Sequence, residues 1–342
     1  MTTSQHSNSQ TSKNQIRMGV WGTTGAGKTT YLMRLFHALA NSDSWDVAVD
    51  DKTKTFITMH SEKMSKGYFP EPTRVRGKEL DIYSYRLTYK GAGSRTKILF
   101  EFIDAPGEFY EEIGNAKGKV AETNQQSKDI VDYLLSCHGI IFLLDPTREN
   151  EDGKTYEVLL QDVFMEMQKR QAELNPDKED KLEQYVAFAV TKADLKKIWE
   201  KGMNSFGLVK ELLNINLSLG WFENYVWLDQ NQLRLVRGNY PSAGKNHRCQ
   251  FFSISAIGVY KDEHGNWESP ISDTNESDGG ILEQTDNPQA NTTSVFGGIP
   301  NYHPARTKTE YRFRHDVRLV QFGVIEPLEW LIDGILTHPP SL

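Results

Sequence analysis

Residues 18–36 read MGVWGTTGAGKTTYLMRLF, an apolar run and an amphipathic run joined by glycines, and no other stretch narrows the fold as far. Within it, Gly22-Thr23-Thr24-Gly25-Ala26-Gly27-Lys28-Thr29 fits G-x-x-x-x-G-K-[ST]. Ile16 to Trp21 predicts a strand ahead of the glycines, and Tyr31, Leu32, Leu35, Phe36 and Leu39 recur at helical spacing behind them. In that setting glycines let successive backbone N–H groups turn inward, and the helix start adds partial positive charge, so the loop is built to hold phosphate oxygens. Lys28 can reach the outer phosphates and Thr29 can offer its hydroxyl to a metal ion; Thr30 is the last residue of the cradle.

The same alternation of strand and helix continues along the chain. Asp46 to Gly67 predicts a strand and a helix ending before the Pro70/Pro72 pair. ELDIYSYRLTY and KILFEFIDAPG, with Gly91 and Gly93 between them, predict a hairpin. A helix over Val120 to Ser136 leads into GIIFLLDPT, an apolar run suited to a strand buried on both faces, as is YVAFAVTKAD. Between these lies a helix over Tyr156 to Leu174, stopped by Asn175-Pro176; CQFFSISAIG is the last strong strand, and IEPLEWLIDGIL a terminal helix starting near Pro327. The fold expected is α/β, with a mainly parallel sheet, helices on both faces and the hairpin as one antiparallel edge strand. Residues 1–15 read as a disordered polar tail and 16–342 as one domain, with an inserted strand and helix at 46–67 and a polar, partly disordered insertion at about 260–311.

Charge and composition exclude several classes. A net charge of −7 argues against a nucleic-acid binder, which needs a basic excess. Apolar runs such as Ile140 to Leu144 are far short of the ~20 residues a spanning helix requires. The first fifteen residues carry no apolar stretch of a secretory signal, so a cytoplasmic location is expected, with Cys137 and Cys249 as reduced, buried thiols. His60, His138 and His264 lack zinc-ligand spacing. The basic residues Arg234, Arg237, Lys245, His247 and Arg248 read as a solvated loop, with a face for an acidic partner as the alternative.

Three further motifs follow strands. Asp104-Ala105-Pro106-Gly107 ends the second hairpin strand: an acid there can hold a metal-bound water, and Gly107 can present its N–H to a γ-phosphate. Thr191-Lys192-Ala193-Asp194 follows the next-to-last strand. A carboxylate at Asp194 can accept both the ring N–H and the exocyclic amine of guanine, donors adenine does not present, while the Lys192 stem lies across the purine. After the last strand, Ser255, Ala256 and Ile257 offer a backbone N–H to the guanine carbonyl.

In the order and position of these motifs the chain resembles the Ras-like superfamily of P-loop GTPases, from about Ile16 to Ile257 with the terminal helix added. The resemblance implies a Mg²⁺-dependent switch hydrolysing GTP to GDP, with Lys28, Thr73, Gly107 and Glu108 at the reacting phosphate and Thr29, Thr73 and Asp104 at the metal. Thr73 takes the place of the family's lone second-motif threonine better than Thr53, Thr55 or Thr58, which lie in a predicted helix. The ending of the Asp46–Gly67 insertion is similar to a bacterial branch called double-GTPase domains, associated with multi-gene conflict systems. Glu108 departs from the family's glutamine; it either positions water or sits outside the site, and slow hydrolysis accelerated by an effector, an activator or a second G domain such as a homodimer partner is expected. Arg74 and Arg76 are either an arginine supplied in cis or an exposed basic loop. A GTP-loaded scaffold with little hydrolysis and an ATPase of the same fold are the competing readings.

Overall fold

The computed structural model describes residues 16–70, 82–90, 96–103, 121–148, 155–176, 181–199, 207–208, 224–227, 247–271 and 317–340. In chain order the elements are β1 (Ile16–Gly22), α1 (Lys28–Ala40), β2 (Trp45–Val49), α2 (Asp51–Ser65), β3 (Ile82–Tyr89), β4 (Thr96–Ile103), α3 (Ala121–Leu135), β5 (Gly139–Leu144), α4 (Tyr156–Leu174), β6 (Tyr185–Val190), α5 (Lys196–Trp199), β7 (Cys249–Ser253), β8 (Ser255–Lys261), β9 (Trp267–Glu268), β10 (Val320–Phe322) and α6 (Glu326–Thr337).

Seven strands form one sheet in the order β2-β3-β4-β1-β5-β6-β7. From β4 to β7 every pairing is parallel, so five carboxyl ends emerge along one edge. The hairpin strand β3 is antiparallel to β4 as expected, but it lies one place in from the sheet's edge. The outer position belongs to β2, which pairs antiparallel to β3 from Trp45↔Tyr89 to Val49↔Tyr85 and so covers amides that would otherwise be open. The Asp50 carboxylate caps α2 by accepting the Thr53 N–H at 2.7 Å, and Thr53 Oγ1 accepts the Ser84 N–H at 3.0 Å, which pins the helix to β3.

Strand periodicity divides the interior in two. Met18, Val20, Ile141, Leu143, Ala187, Ala189 and Phe252 face one layer with α1, α2 and α6. Trp21, Ile140, Phe142, Val186, Phe188 and Phe251 face the other with α3 and α4. There Phe142 packs between Trp21, Phe164 and Phe188 at 5.2, 5.4 and 5.3 Å between ring centres. Helix α6 lies close on β5: a methyl group added at Gly139 would sit 3.2 Å from Ile335 and 3.3 Å from Leu331. Cys137 and Cys249 are free and buried.

A second, three-stranded sheet runs β10-β8-β9. It begins at Ser255, one residue after β7, so the run CQFFSISAIG expected as one strand is divided between two sheets. The hairpin from β8 to β9 turns on Asp262, whose carboxylate accepts the His264 and Asn266 N–H groups. Residues 260–271 of the expected polar insertion form the end of β8 and this hairpin, and residues 272–311 of it lie outside the described residues. Strand β10 presses on this join: a Cβ at Gly258, where φ is +102°, would meet the Val320 backbone at 2.7 Å. Two members of the basic stretch expected to be solvated are instead buried: His247 packs against Trp330 at 6.1 Å, and Arg248 pairs with Glu183 at 2.7 Å. Arg234, Arg237 and Lys245 lie outside the described residues.

Candidate functional site

Strand β1 ends at Gly22 and α1 starts at Lys28, so residues 23–27 turn at the carboxyl edge of the sheet. Gly27 precedes the helix with φ of +81°, a left-handed backbone that glycine adopts without strain, and a Cβ there would touch nothing within 4 Å. No side chain caps α1, which leaves its first amides to a ligand. Thr24 and Gly25 are exposed at the tip; Thr29 and Thr30 are half-buried on the first turn. Lys28 is buried and folds back over its own loop, donating to Gly22 O at 2.6 Å and Thr23 O at 3.0 Å. The Lys28 ammonium is therefore held against the carbonyls of its own loop.

Two strands along, the loop after β6 carries the residues expected to select the base. Thr191 is fixed to the end of β5, its N–H and hydroxyl donating to Leu144 O at 2.9 and 3.2 Å. Lys192 has φ of +53°, the sole positive value for a non-glycine among the described residues, and its Nζ reaches Asp145 Oδ2 at 2.6 Å and Thr147 Oγ1 at 3.3 Å. Asp194 is 1% exposed. Its Oδ1 accepts the Ser255 hydroxyl at 2.7 Å, while Oδ2 has no partner among the described residues. Ser255 Oγ accepts the Gly258 N–H at 2.8 Å, so its single proton is directed at the carboxylate. Burial raises the Asp194 carboxyl above its usual range, against the opposing pull of the Ser255 hydroxyl and the Lys192 charge.

The structure thus gathers Gly22 to Thr30, Thr191, Lys192, Asp194 and Ser255 along one sheet edge. Ile257 turns its side chain into the core, which leaves only backbone to offer a ligand there; Ala256, on β8, is half-buried. Thr73, Arg74, Arg76, Asp104, Gly107 and Glu108 lie outside the described residues. Sequence reasoning passes over Asp145, Thr147 and Tyr156. Asp145, 4% exposed at the end of β5, has the same signature that singles out Asp104, an acid closing a buried strand. Tyr156 gives no such signal, since its spacing is that of core.

A family model described as Double-GTPase 2 matches residues 16–215. Among solved structures the chain is similar to the Arl6 BBS3 small GTPase from Trypanosoma brucei with bound nucleotide analogue GppNp, at 10% identity, over 71% of this chain and 87% of that chain, with a TM-score of 0.32. It is also similar to the signal recognition particle receptor SRb-GTP/SRX complex from Chaetomium thermophilum, at 18% identity, over 71% of this chain and 94% of that chain, with a TM-score of 0.35. No curated protein has a matching sequence.

Proposed function

This chain belongs to the Double-GTPase 2 family and is a GTP-binding protein with a Ras-like P-loop G domain; from that premise we propose that it hydrolyses GTP to GDP and phosphate as a Mg²⁺-dependent conformational switch. The observation that carries the reading is the Asp194 carboxylate, buried with one oxygen engaged by Ser255 and the other without a partner among the described residues. A buried carboxylate oxygen without a donor is costly, and the ring N–H and amine of guanine supply the missing donors where adenine would not. The Lys192 stem, its end held by Asp145, lies against the purine, and the amides at the start of α1 take the phosphates.

Thr29, Thr73 and Asp104 would hold the metal, and Thr29 suits this role by its place on the first turn of α1 beside Lys28. Bound Mg²⁺ offsets charge on the β- and γ-phosphates. Lys28 exchanges a loop carbonyl for a phosphate oxygen, Gly107 presents its amide to the γ-phosphate, and Glu108 either orients water or stays outside. Hydrolysis is slow until a partner engages the site.

Competition against fluorescent GDP tests the assignment. GTP and GDP should displace it and ATP should not; displacement by ATP as well as by GTP would overturn the guanine reading. Asp194→Asn should lose guanine preference and accept xanthine nucleotides, which present a carbonyl where guanine has its amine. Phosphate release above background should disappear in Lys28→Ala. Release never above background would favour the GTP-loaded scaffold, a reading to which Glu108 lends support, since a carboxylate near a γ-phosphate is repelled.

A further inference from the structure

Tyr156, the first residue of α4, is 4% exposed, yet its hydroxyl joins two loops at the carboxyl edge of the sheet. It accepts the Asp145 N–H at 2.7 Å and lies 3.1 Å from Thr23 Oγ1. An amide only donates, so the phenol's own proton needs a different acceptor, and Thr23 Oγ1 is the one within reach among the described residues. Burial pushes the phenol far above its usual range, so the proton stays in place wherever the fold survives.

Each end of this contact is itself committed. The Thr23 carbonyl accepts Lys28 Nζ at 3.0 Å. On the other side, Asp145 Oδ2 holds Lys192 Nζ at 2.6 Å, while Oδ1 accepts both the N–H and the hydroxyl of Thr147 at 2.8 Å. An unbroken polar line therefore runs Lys28, Thr23, Tyr156, Asp145, Lys192, from the phosphate loop to the base-selecting loop. We propose that Tyr156 is a positioning residue that couples these two loops, so that the phosphate end and the purine end of a guanine nucleotide bind cooperatively. The inference rests on the nucleotide reading above. The phosphate loop turns on two glycines with positive φ, Gly25 and Gly27, and the Tyr156 hydroxyl ties it to the Asp145 segment that holds Lys192 before any ligand arrives. Setting both loops beforehand lowers the ordering cost that a ligand spanning them meets.

The test is the dissociation rate of fluorescent GDP from the full chain, measured for Thr23→Val, Lys192→Met and their combination, first with Tyr156 present and then in a Tyr156→Phe background. Tyr156→Phe and Thr23→Val should each speed release about tenfold, equivalent to about 1.4 kcal/mol. With Tyr156 present, Thr23→Val and Lys192→Met cut the same line, so their joint effect should fall well short of the product of the two; in Tyr156→Phe the two effects should multiply. A tyrosine with only a structural role would lower the thermal midpoint and leave this difference absent. Effects that multiply in both backgrounds would overturn the inference while the nucleotide reading stands, whereas an unaltered chain that fails to hold labelled GDP would overturn both. Should Tyr156→Phe fail to fold, Thr23→Val decides: it breaks the bond yet leaves the Asp145 amide its acceptor, and an unchanged release rate there would overturn the coupling.

Discussion

Asp194 accepts donors from a base only while ionised, and burial works against that charge. Its carboxyl titrates above the usual aspartate range, so GTP affinity should weaken as the pH is lowered into the interval just above that range. Stability moves the other way. A carboxyl whose folded pKa is raised pays a burial penalty when charged, and the penalty is relieved as protons bind, so this group does not destabilise the unliganded fold there. GTP titrations at successively lower pH should show the weakening, Ser255→Ala should move its onset to higher pH by removing a donor to the charged form, and Asp194→Asn should abolish it. Asp194 was legible from sequence because T-K-x-D follows a strongly apolar strand. Its Ser255 partner was legible only as backbone, since the hydroxyl's direction depends on a bond to the Gly258 amide that no sequence pattern marks.

Buried strands with apolar runs, GIIFLL and YVAFAV, and helices with capping residues, such as Thr155 before α4, are readable because their signals are local. Strand order is not local. Nothing within WDVAV says that it lies outside β3, for that depends on Trp45 meeting Tyr89, 4.9 Å between ring centres, and on Trp45 Nε1 donating to Glu329 of α6 at 3.1 Å. Strand β10, three residues long, carries no period at all and exists because Gly258 lets Val320 approach. Gly258→Ala should therefore cost on the order of 3 kcal/mol, combining left-handed strain with overpacking, and should reduce GTP binding by displacing the amide that orients Ser255. Gly265→Ala supplies the contrast: φ is +84° but nothing lies within 4 Å of the added carbon, so only about 1 kcal/mol of backbone strain is expected. Thermal unfolding of the two variants measures the difference.

At the scale of the molecule, the segments that follow β1, β6 and β7 belong to separate elements, and on the function proposed above a nucleotide held by all three would stabilise the folded state alone. GTP with Mg²⁺ at a hundred times its Kd should add about 2.7 kcal/mol and raise the thermal midpoint by several degrees. Lys28→Ala and Asp194→Asn should show no such rise at the same GTP concentration. A cavity in the layer under α4 should be felt globally too: Phe142→Ala, at the meeting point of Trp21, Phe164 and Phe188, should lose about 3–5 kcal/mol by denaturant unfolding. The close seat of α6 on β5 also bears on how the protein is made. Leu328, Leu331, Ile332 and Ile335 complete a layer whose strands come far earlier in the chain. A nascent polypeptide that has emitted β5 and β6 but not yet α6 leaves uncovered the part of that oily face on which this helix sits.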